Sequence, residues 1–405
     1  MKLTFDERWN LIEKISKRTV TFGKYKHTLK DAIGELTVKP LTGIPVAIAV
    51  LYGFWSFFSS FAGTLFTDGF FVKLFDFHYL PWIQQHFPGA GGWLYYILVG
   101  DPAAGNCFEA FGVLTSGLFV AIGVVLPAIV AFYLLLTLLE DMGYMPRLAV
   151  LIDTVLHKIG LHGYAIVPSI LSLGCNVPAC AACRILETKK ERFIMLTLLA
   201  VFIPCGAQLG IMREVIPETM GLVLLYLLIG YFIFGFVLNK VIPGESPEIL
   251  IDVPPYQMPL LRNVGMKVWI RLKGFFRTAI PFVLLGCTVV NILYLSGAMD
   301  WIANVLSPVL SGWFGVPKET IGPLIAAFLR KDLAVAQLSA IEMSKYQMIT
   351  SVVLISIYFP CVATFVMMLK EEGGKGLLGS MTTMVAVVTL YGGLLHLIWI
   401  LLGVA

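Results

Sequence analysis

Charged residues are scarce in this chain of 405 residues. Asp, Glu, Lys and Arg together make up 13% of the sequence, whereas hydrophobic residues make up 58% and the mean hydropathy is +0.86. A soluble domain has about 25% charged and roughly 45–50% apolar residues, so this composition excludes an ordinary soluble domain. Because backbone in a bilayer must satisfy its own hydrogen bonds, the long uncharged runs predict helices, and the fold class is an all-α polytopic membrane protein.

Two other features are missing. The first forty residues contain no apolar core of signal-peptide length, so no cleaved signal is predicted. The seven cysteines are odd in number and lie mostly inside apolar segments, which does not fit a disulfide framework. We therefore expect reduced thiols.

The uncharged runs and the basic residues between them divide the chain into parts. Residues 41–66 contain no charge and exceed the roughly 20 residues that a spanning helix needs. Lys and Arg before this run place the N-terminus in the cytoplasm. The predicted parts are a cytoplasmic amphipathic lead at 1–40, a first span and outer loop at 41–111, a first repeat at 112–242, a cytoplasmic basic linker at 243–277 and a second repeat at 278–405.

One apolar stretch, residues 165–186, is broken in its middle by Gly174 and Pro178. Irregular backbone at membrane depth survives only where protein buries it or where it lines a watery cavity, so the break predicts two half-helices that meet at a site. Cys175 and Asn176 lie in the break. The Lys/Arg cluster that follows would lie outside if the stretch crossed the membrane, and this favours a re-entrant hairpin.

The second half of the chain repeats the first at an offset of 156 residues. Pro360-Cys361 follows Pro204-Cys205 at this distance, and the hairpin 165–186 falls on 321–342. At the same offset, Lys331 and Asp332 take the places of Cys175 and Asn176. Each half is expected to cross the membrane an odd number of times, which predicts two inverted repeats with interrupted helices, an arrangement typical of transporters.

The second hairpin has charges at its centre, Arg330, Lys331 and Asp332. Each charge at the middle of a membrane helix costs about 3 kcal/mol on insertion scales, so these side chains must face a cavity, pair with one another or reach an interface. An ion pair that only anchors the fold remains the alternative to a functional role.

Several runs resemble the membrane region of the ferrous iron transporter B family. They are LLEDMGYMPRLAVLID at 138–153, KIGLHG at 158–163, GCNVPA at 174–179, PPYQMPLLRNV at 254–264 and YFPCVATF at 358–365. The resemblance covers nearly the whole chain from about residue 6. It implies two so-called gate repeats in an inner or plasma membrane, and a permease for ferrous iron rather than an enzyme.

The resemblance also implies a set of path residues. Cys175, Cys205 and Cys361 correspond to the cysteines thought to lie on the iron path, with oxygen from Asn176 or Asp332. Fe²⁺ accepts N, O and S donors, and a few moderate ligands suit a site that must also release its ion. Weaker candidates are Cys180, an additional thiol in this chain, together with Lys331 and the pair Glu140 and Asp141.

The sequence departs from the family in having no phosphate-binding G-x-x-x-x-G-K-[ST] motif. The expected partners are therefore membrane lipid and a separate cytoplasmic GTP-binding protein, with a homo-oligomer possible and no nucleic acid. Fe²⁺ enters as transported substrate, and no nucleotide is expected on this chain. Alternatives are a carrier of nucleosides or of another divalent metal, and a membrane scaffold that transports nothing.

The missing phosphate cradle gives a first test. The purified polypeptide should neither bind nor hydrolyse GTP, because it has no loop whose backbone amides could hold the phosphates. Equilibrium binding of labelled GTP measures this directly. One GTP bound per chain would contradict the prediction.

Overall fold

The protein is described by a computed structural model, which covers residues 13–19, 29–87, 92–102, 105–107, 110, 112–244, 253–297, 305, 308, 311–329, 331–339 and 341–403. Within these ranges the chain forms helices and no strand. In chain order the main helices are α1 Leu29–Val38, α2 Pro40–His86, α3 Trp93–Leu98, α4 Val113–Asp141, α5 Tyr144–His157, α6 Ile166–Gly174, α7 Asn176–Ala182, α8 Lys189–Phe202, α9 Gly206–Val215, α10 Met220–Val241, α11 Leu261–Leu295, α12 Ile321–Leu329, α13 Lys331–Leu338, α14 Lys345–Ile357 and α15 Val362–Leu401.

The helices have the length and composition of a membrane protein, so the predicted fold class is confirmed. Five helical stretches of the described residues are long and apolar enough to cross a bilayer. They are α2, α4, α8 with α9, α10, and α14 with α15. The division of the chain into five parts stays a prediction, and much of the lead at 1–40 lies outside the described residues.

The first apolar helix is longer than the sequence predicts. The predicted span ends at residue 66, but α2 continues to His86 through two π-helical stretches, Ser59–Phe71 and Phe75–Tyr79. No proline occurs between Pro45 and Pro81, so nothing in the backbone stops the helix where the apolar run ends. Part of the expected outer loop is therefore helical.

Both predicted hairpins consist of two short helices. In the first, Cys175 is extended (φ −155°, ψ 131°) between α6 and α7. In the second, α12 ends at Leu329 and α13 begins at Lys331; Arg330 lies outside the described residues. None of these four helices reaches the length of a membrane span.

The Pro-Cys motifs interrupt what the sequence suggests is continuous helix. The span predicted at 193–211 is split into α8 and α9, and the equivalent α14 and α15 are split at Pro360. Proline has no N–H and clashes with the preceding turn, which ends the first helix of each pair. The starts match as well, since Thr188 and Ser344, 156 positions apart, both cap their helices through a capping box.

A buried arginine fixes the segment that leads into the second half. Arg147 of α5 donates to the carbonyl oxygens of Gly143 (2.6 Å) and Pro254 (2.9 Å). Its guanidinium lies 3.7 Å from the ring centre of Tyr256, whose hydroxyl donates to Thr37 of α1 at 3.1 Å. Helices α1 and α5 and the linker are thus packed together before α11 begins.

The first helix break is packed against phenylalanine rings. A Cβ on Gly174 would lie 2.1 Å from the ring of Phe132, and one on Gly206 would lie 2.7 Å from the ring of Phe58. The two rings are buried and meet edge to face, with centres 6.5 Å apart. Only glycine allows α6 to approach the ring of Phe132, and α9 the ring of Phe58, so closely.

The close approach at Gly174 predicts a position-specific cost. Gly174→Ala should destabilise the protein by about 1–3 kcal/mol, because the buried ring of Phe132 has no room to move away. Gly210→Ala is the matched control, since a Cβ there meets nothing within 4 Å. Thermal unfolding in detergent measures both, and equal melting temperatures for the two variants would refute this account of the packing.

Candidate cation site at the helix breaks

Three cysteines lie at three of the helix breaks. Cys175 precedes α7, Cys205 precedes α9 and Cys361 precedes α15, each with extended backbone. All three side chains are half-buried, whereas Cys107, Cys180 and Cys183 are fully buried. The thiols of Cys175, Cys205 and Cys361 also lie within electrostatic range of one another. The structure therefore brings the three predicted thiols into one neighbourhood and leaves each partly accessible.

Asn176 connects the first hairpin to α8. Its Oδ1 accepts a hydrogen bond from Ser172 (2.6 Å), and its Nδ2 donates to the carbonyl of Leu199 (3.4 Å). Leu199 is in the last turn of α8, where carbonyls lack helical partners. The amide thus holds the break against the end of α8, and its oxygen already accepts one bond.

Lys331 bridges the two repeats. Its Nζ donates to the carbonyl of Ala200 at 3.1 Å and to that of Ser356 at 2.6 Å. In a continuous helix these carbonyls would accept from the residues four positions on, but those residues are Pro204 and Pro360, which have no N–H. One ammonium group therefore partners both carbonyls that the two prolines leave free.

Polar side chains continue this connection. Gln208, fully buried at the start of α9, donates from Nε2 to Ser356 Oγ at 2.7 Å, and that hydroxyl donates onward to the carbonyl of Val352. The equivalent residue of the second half, Thr364, lies 3.1 Å from the sulfur of Cys361. The two breaks are thus tied to each other through Ser356 as well as through Lys331.

The predicted oxygen donor lies in the same region. Asp332 is 8% exposed and within electrostatic range of Cys205. Across the described part of the chain, however, no three His, Cys, Asp or Glu side chains are placed to hold a metal ion together. The thiols and the carboxylate are neighbours without forming a closed metal cage.

The weaker candidates have other contacts. Cys180 is wholly buried within α7. Glu140 accepts from Arg271 at 2.9 Å, and Asp141 pairs with Lys267, so both acids of α4 bind the basic start of α11. Their part in an ion path stays a prediction.

Sequence reasoning missed three oxygens: the carbonyls of Ala200 and Ser356 and the side chain of Gln208. A signal for the first two exists in the sequence, because a proline frees the carbonyl four residues before it. No local pattern marks Gln208, which is recognisable only from its contact with the other half of the chain.

Comparison with known proteins identifies two family matches. The Gate family, described as nucleoside recognition, matches residues 122–218 and 276–375, and the ferrous iron transport protein B C terminus matches residues 220–271.

Curated relatives that carry the name Fe(2+) transporter FeoB align with much of the chain. The protein from Staphylococcus aureus (strain COL) is 29% identical over 295 residues, which are 64% of this chain and 44% of the relative. The one from Methanocaldococcus jannaschii is 27% identical over 313 residues, which are 66% of this chain and 47% of the relative. The one from Salmonella typhimurium is 28% identical over 339 residues, which are 76% of this chain and 41% of the relative. The chain thus spans less than half the length of these relatives.

The difference in burial predicts a pattern of thiol reactivity. A maleimide should modify Cys175, Cys205 and Cys361 first, because only these described thiols are partly accessible. Cys107 is the control, because its thiol is fully buried and donates to the carbonyl of Phe75, so that the reagent does not reach it. Peptide mass spectrometry after limited labelling gives the order, and modification of Cys180 ahead of the three would contradict it.

Proposed function

We propose that the chain, as a member of the family of ferrous iron transport protein B whose Gate and C-terminal domains match it, transports ferrous iron across the membrane. The observation that carries this proposal is that three half-buried thiols at helix breaks lie within electrostatic range of one another. The relatives are named Fe(2+) transporter, which supports the same substrate.

In the proposed mechanism the ion passes between the two repeats. Cys205 and Cys361 come from equivalent positions of the two halves, and Cys175 comes from the first hairpin. Fe²⁺ would lose part of its hydration shell to these sulfurs and to oxygen from Asn176 or Asp332. Thiolate and oxygen ligands together suit a borderline divalent ion, and the absence of a closed cage among the described side chains suits an ion that must leave again.

We infer that a GTP-binding protein, separate or fused, regulates or drives this step. The inference rests on the similarity to the iron transport family. A cytoplasmic N-terminus, which the positions of Lys and Arg predict, would be on the side of such a partner. If the first hairpin is re-entrant, as the sequence predicts, Lys189 and Lys190 at the start of α8 are on the same side. Binding to lipid is expected from the apolar helices, and a homo-oligomer is compatible with the proposal.

A carrier for nucleosides is the second candidate, because the Gate family is described as nucleoside recognition. A nucleoside site needs hydrogen-bonding and aromatic side chains, whereas the breaks of this chain present thiols. Uptake of a labelled nucleoside, measured beside that of iron, separates the two functions.

The decisive experiment is uptake of radiolabelled Fe²⁺ into proteoliposomes under anaerobic conditions. Each of Cys175→Ser, Cys205→Ser and Cys361→Ser should slow uptake at least about tenfold, because a hard hydroxyl replaces a soft thiolate in a nearly isosteric side chain. Cys107→Ser is the matched control: this buried thiol donates to the carbonyl of Phe75, far along the chain from the breaks, and serine keeps a donor there. Uptake by all three variants at the rate of the control would refute the cysteine path, and absence of uptake by the wild type would refute iron transport.

A further inference from the structure

Two carbonyl oxygens and one ammonium group meet where the repeats face each other. Ala200 and Ser356 are equivalent residues, 156 positions apart, and each lies four residues before the proline of its Pro-Cys motif. Lys331 Nζ binds both oxygens, and the lysine is only 6% exposed. A pair of equivalent, proline-freed carbonyls thus faces a single positive charge.

Gln208 brings a third oxygen to the contact between the two halves. Gln208 Nε2 donates to Ser356 Oγ, and that hydroxyl donates its own hydrogen to the carbonyl of Val352. Gln208 Oε1 is then buried with no hydrogen-bond partner among the described residues. A buried carbonyl-type oxygen without a donor is costly in a protein interior and attracts a cation.

The lysine has no counterpart in the other repeat. Its equivalent is Cys175, so the two symmetric carbonyls are served by one side chain from one half. The same ammonium lies within electrostatic range of Cys205 and Cys361. A divalent ion that reaches these thiols therefore approaches the ammonium group that binds the carbonyl oxygens of Ala200 and Ser356.

We propose that the carbonyl oxygens of Ala200 and Ser356, together with the side-chain oxygen of Gln208, form a cation site on the transport path. At rest the Lys331 ammonium occupies the two carbonyl oxygens, and an arriving divalent metal ion displaces it. The proposal rests on the proposed function, and it adds that the Lys331 ammonium competes with the transported ion for these oxygens. Repulsion between the ammonium and the metal keeps binding weak, and return of the lysine to its oxygens drives the ion off. Lysine serves here as an internal cation.

Removal of the charge tests the proposal. In the full chain, purified in detergent without oxygen, Co²⁺ alone is titrated and followed by its thiolate absorption and by equilibrium dialysis. Lys331→Met, which keeps the length of the side chain but not the charge, should bind Co²⁺ at least about tenfold more tightly than the wild type. Lys331→Arg should bind as the wild type does. Lys345→Met is the matched control for loss of one positive charge, because Lys345 is 73% exposed and pairs only with the surface residue Glu218 among its described ion pairs.

A lysine that merely holds the two repeats together would give a different result. Lys331→Met would then melt at a lower temperature and bind Co²⁺ no more tightly than the wild type, and this outcome in folded protein overturns the proposal. If Lys331→Met does not fold, Gln208→Leu decides: it should weaken Co²⁺ binding several-fold, and unchanged affinity overturns the proposal. If the wild type takes up Fe²⁺ but the variants show no change in Co²⁺ affinity, iron transport stands and only the role of Lys331 is refuted. If the wild type neither takes up Fe²⁺ nor binds Co²⁺, both proposals are refuted.

Discussion

The missing amide hydrogens of Pro204 and Pro360 are the constraint on which the centre of this protein depends. In a bilayer, water is not at hand to satisfy a carbonyl that its helix has lost, and each unpaired group costs several kcal/mol. The chain meets this cost with side chains that come from the hairpins: Lys331 for Ala200 and Ser356, and Asn176 for Leu199. The hairpins therefore supply the hydrogen-bond donors that the ends of the broken helices lack.

The packing around the breaks follows from the same constraint. Helices that end inside the protein must bring their ends close together for a side chain to reach across, and this requires small residues at the contacts. Gly174 and Gly206 allow it on one side, where Phe58 and Phe132 fill the remaining space. The rings cover the glycines at the breaks, while the cysteines there stay half-buried.

Much of this arrangement can be predicted from the sequence, because breaks in an apolar run have a local cause. Gly174, Pro204 and Pro360 mark the interruptions, and the offset of 156 residues relates them. The continuation of α2 to His86 could not be predicted from hydropathy, since the helix outlasts the apolar run through π-helical turns. The contacts of Gln208 and Arg147 join residues far apart in the chain, and no local pattern encodes such partners. The distinction between half-buried and buried cysteines likewise depends on packing between helices.

The lengths of α8 and α14 determine how deep the breaks lie. Each helix starts at a capping box with a lysine at its first position, which is a suitable anchor for the boundary between lipid and water. With 14 and 13 residues, the two helices are about 20 Å long, whereas the hydrocarbon layer is about 30 Å thick. Each chain break therefore lies nearer to the far surface than to the surface where its helix begins. Because the two repeats are predicted to be inverted, α8 and α14 would start from opposite surfaces, and an ion held between their breaks would lie near the middle of the layer. The electrical potential across the bilayer would then act with similar weight on its entry and on its departure.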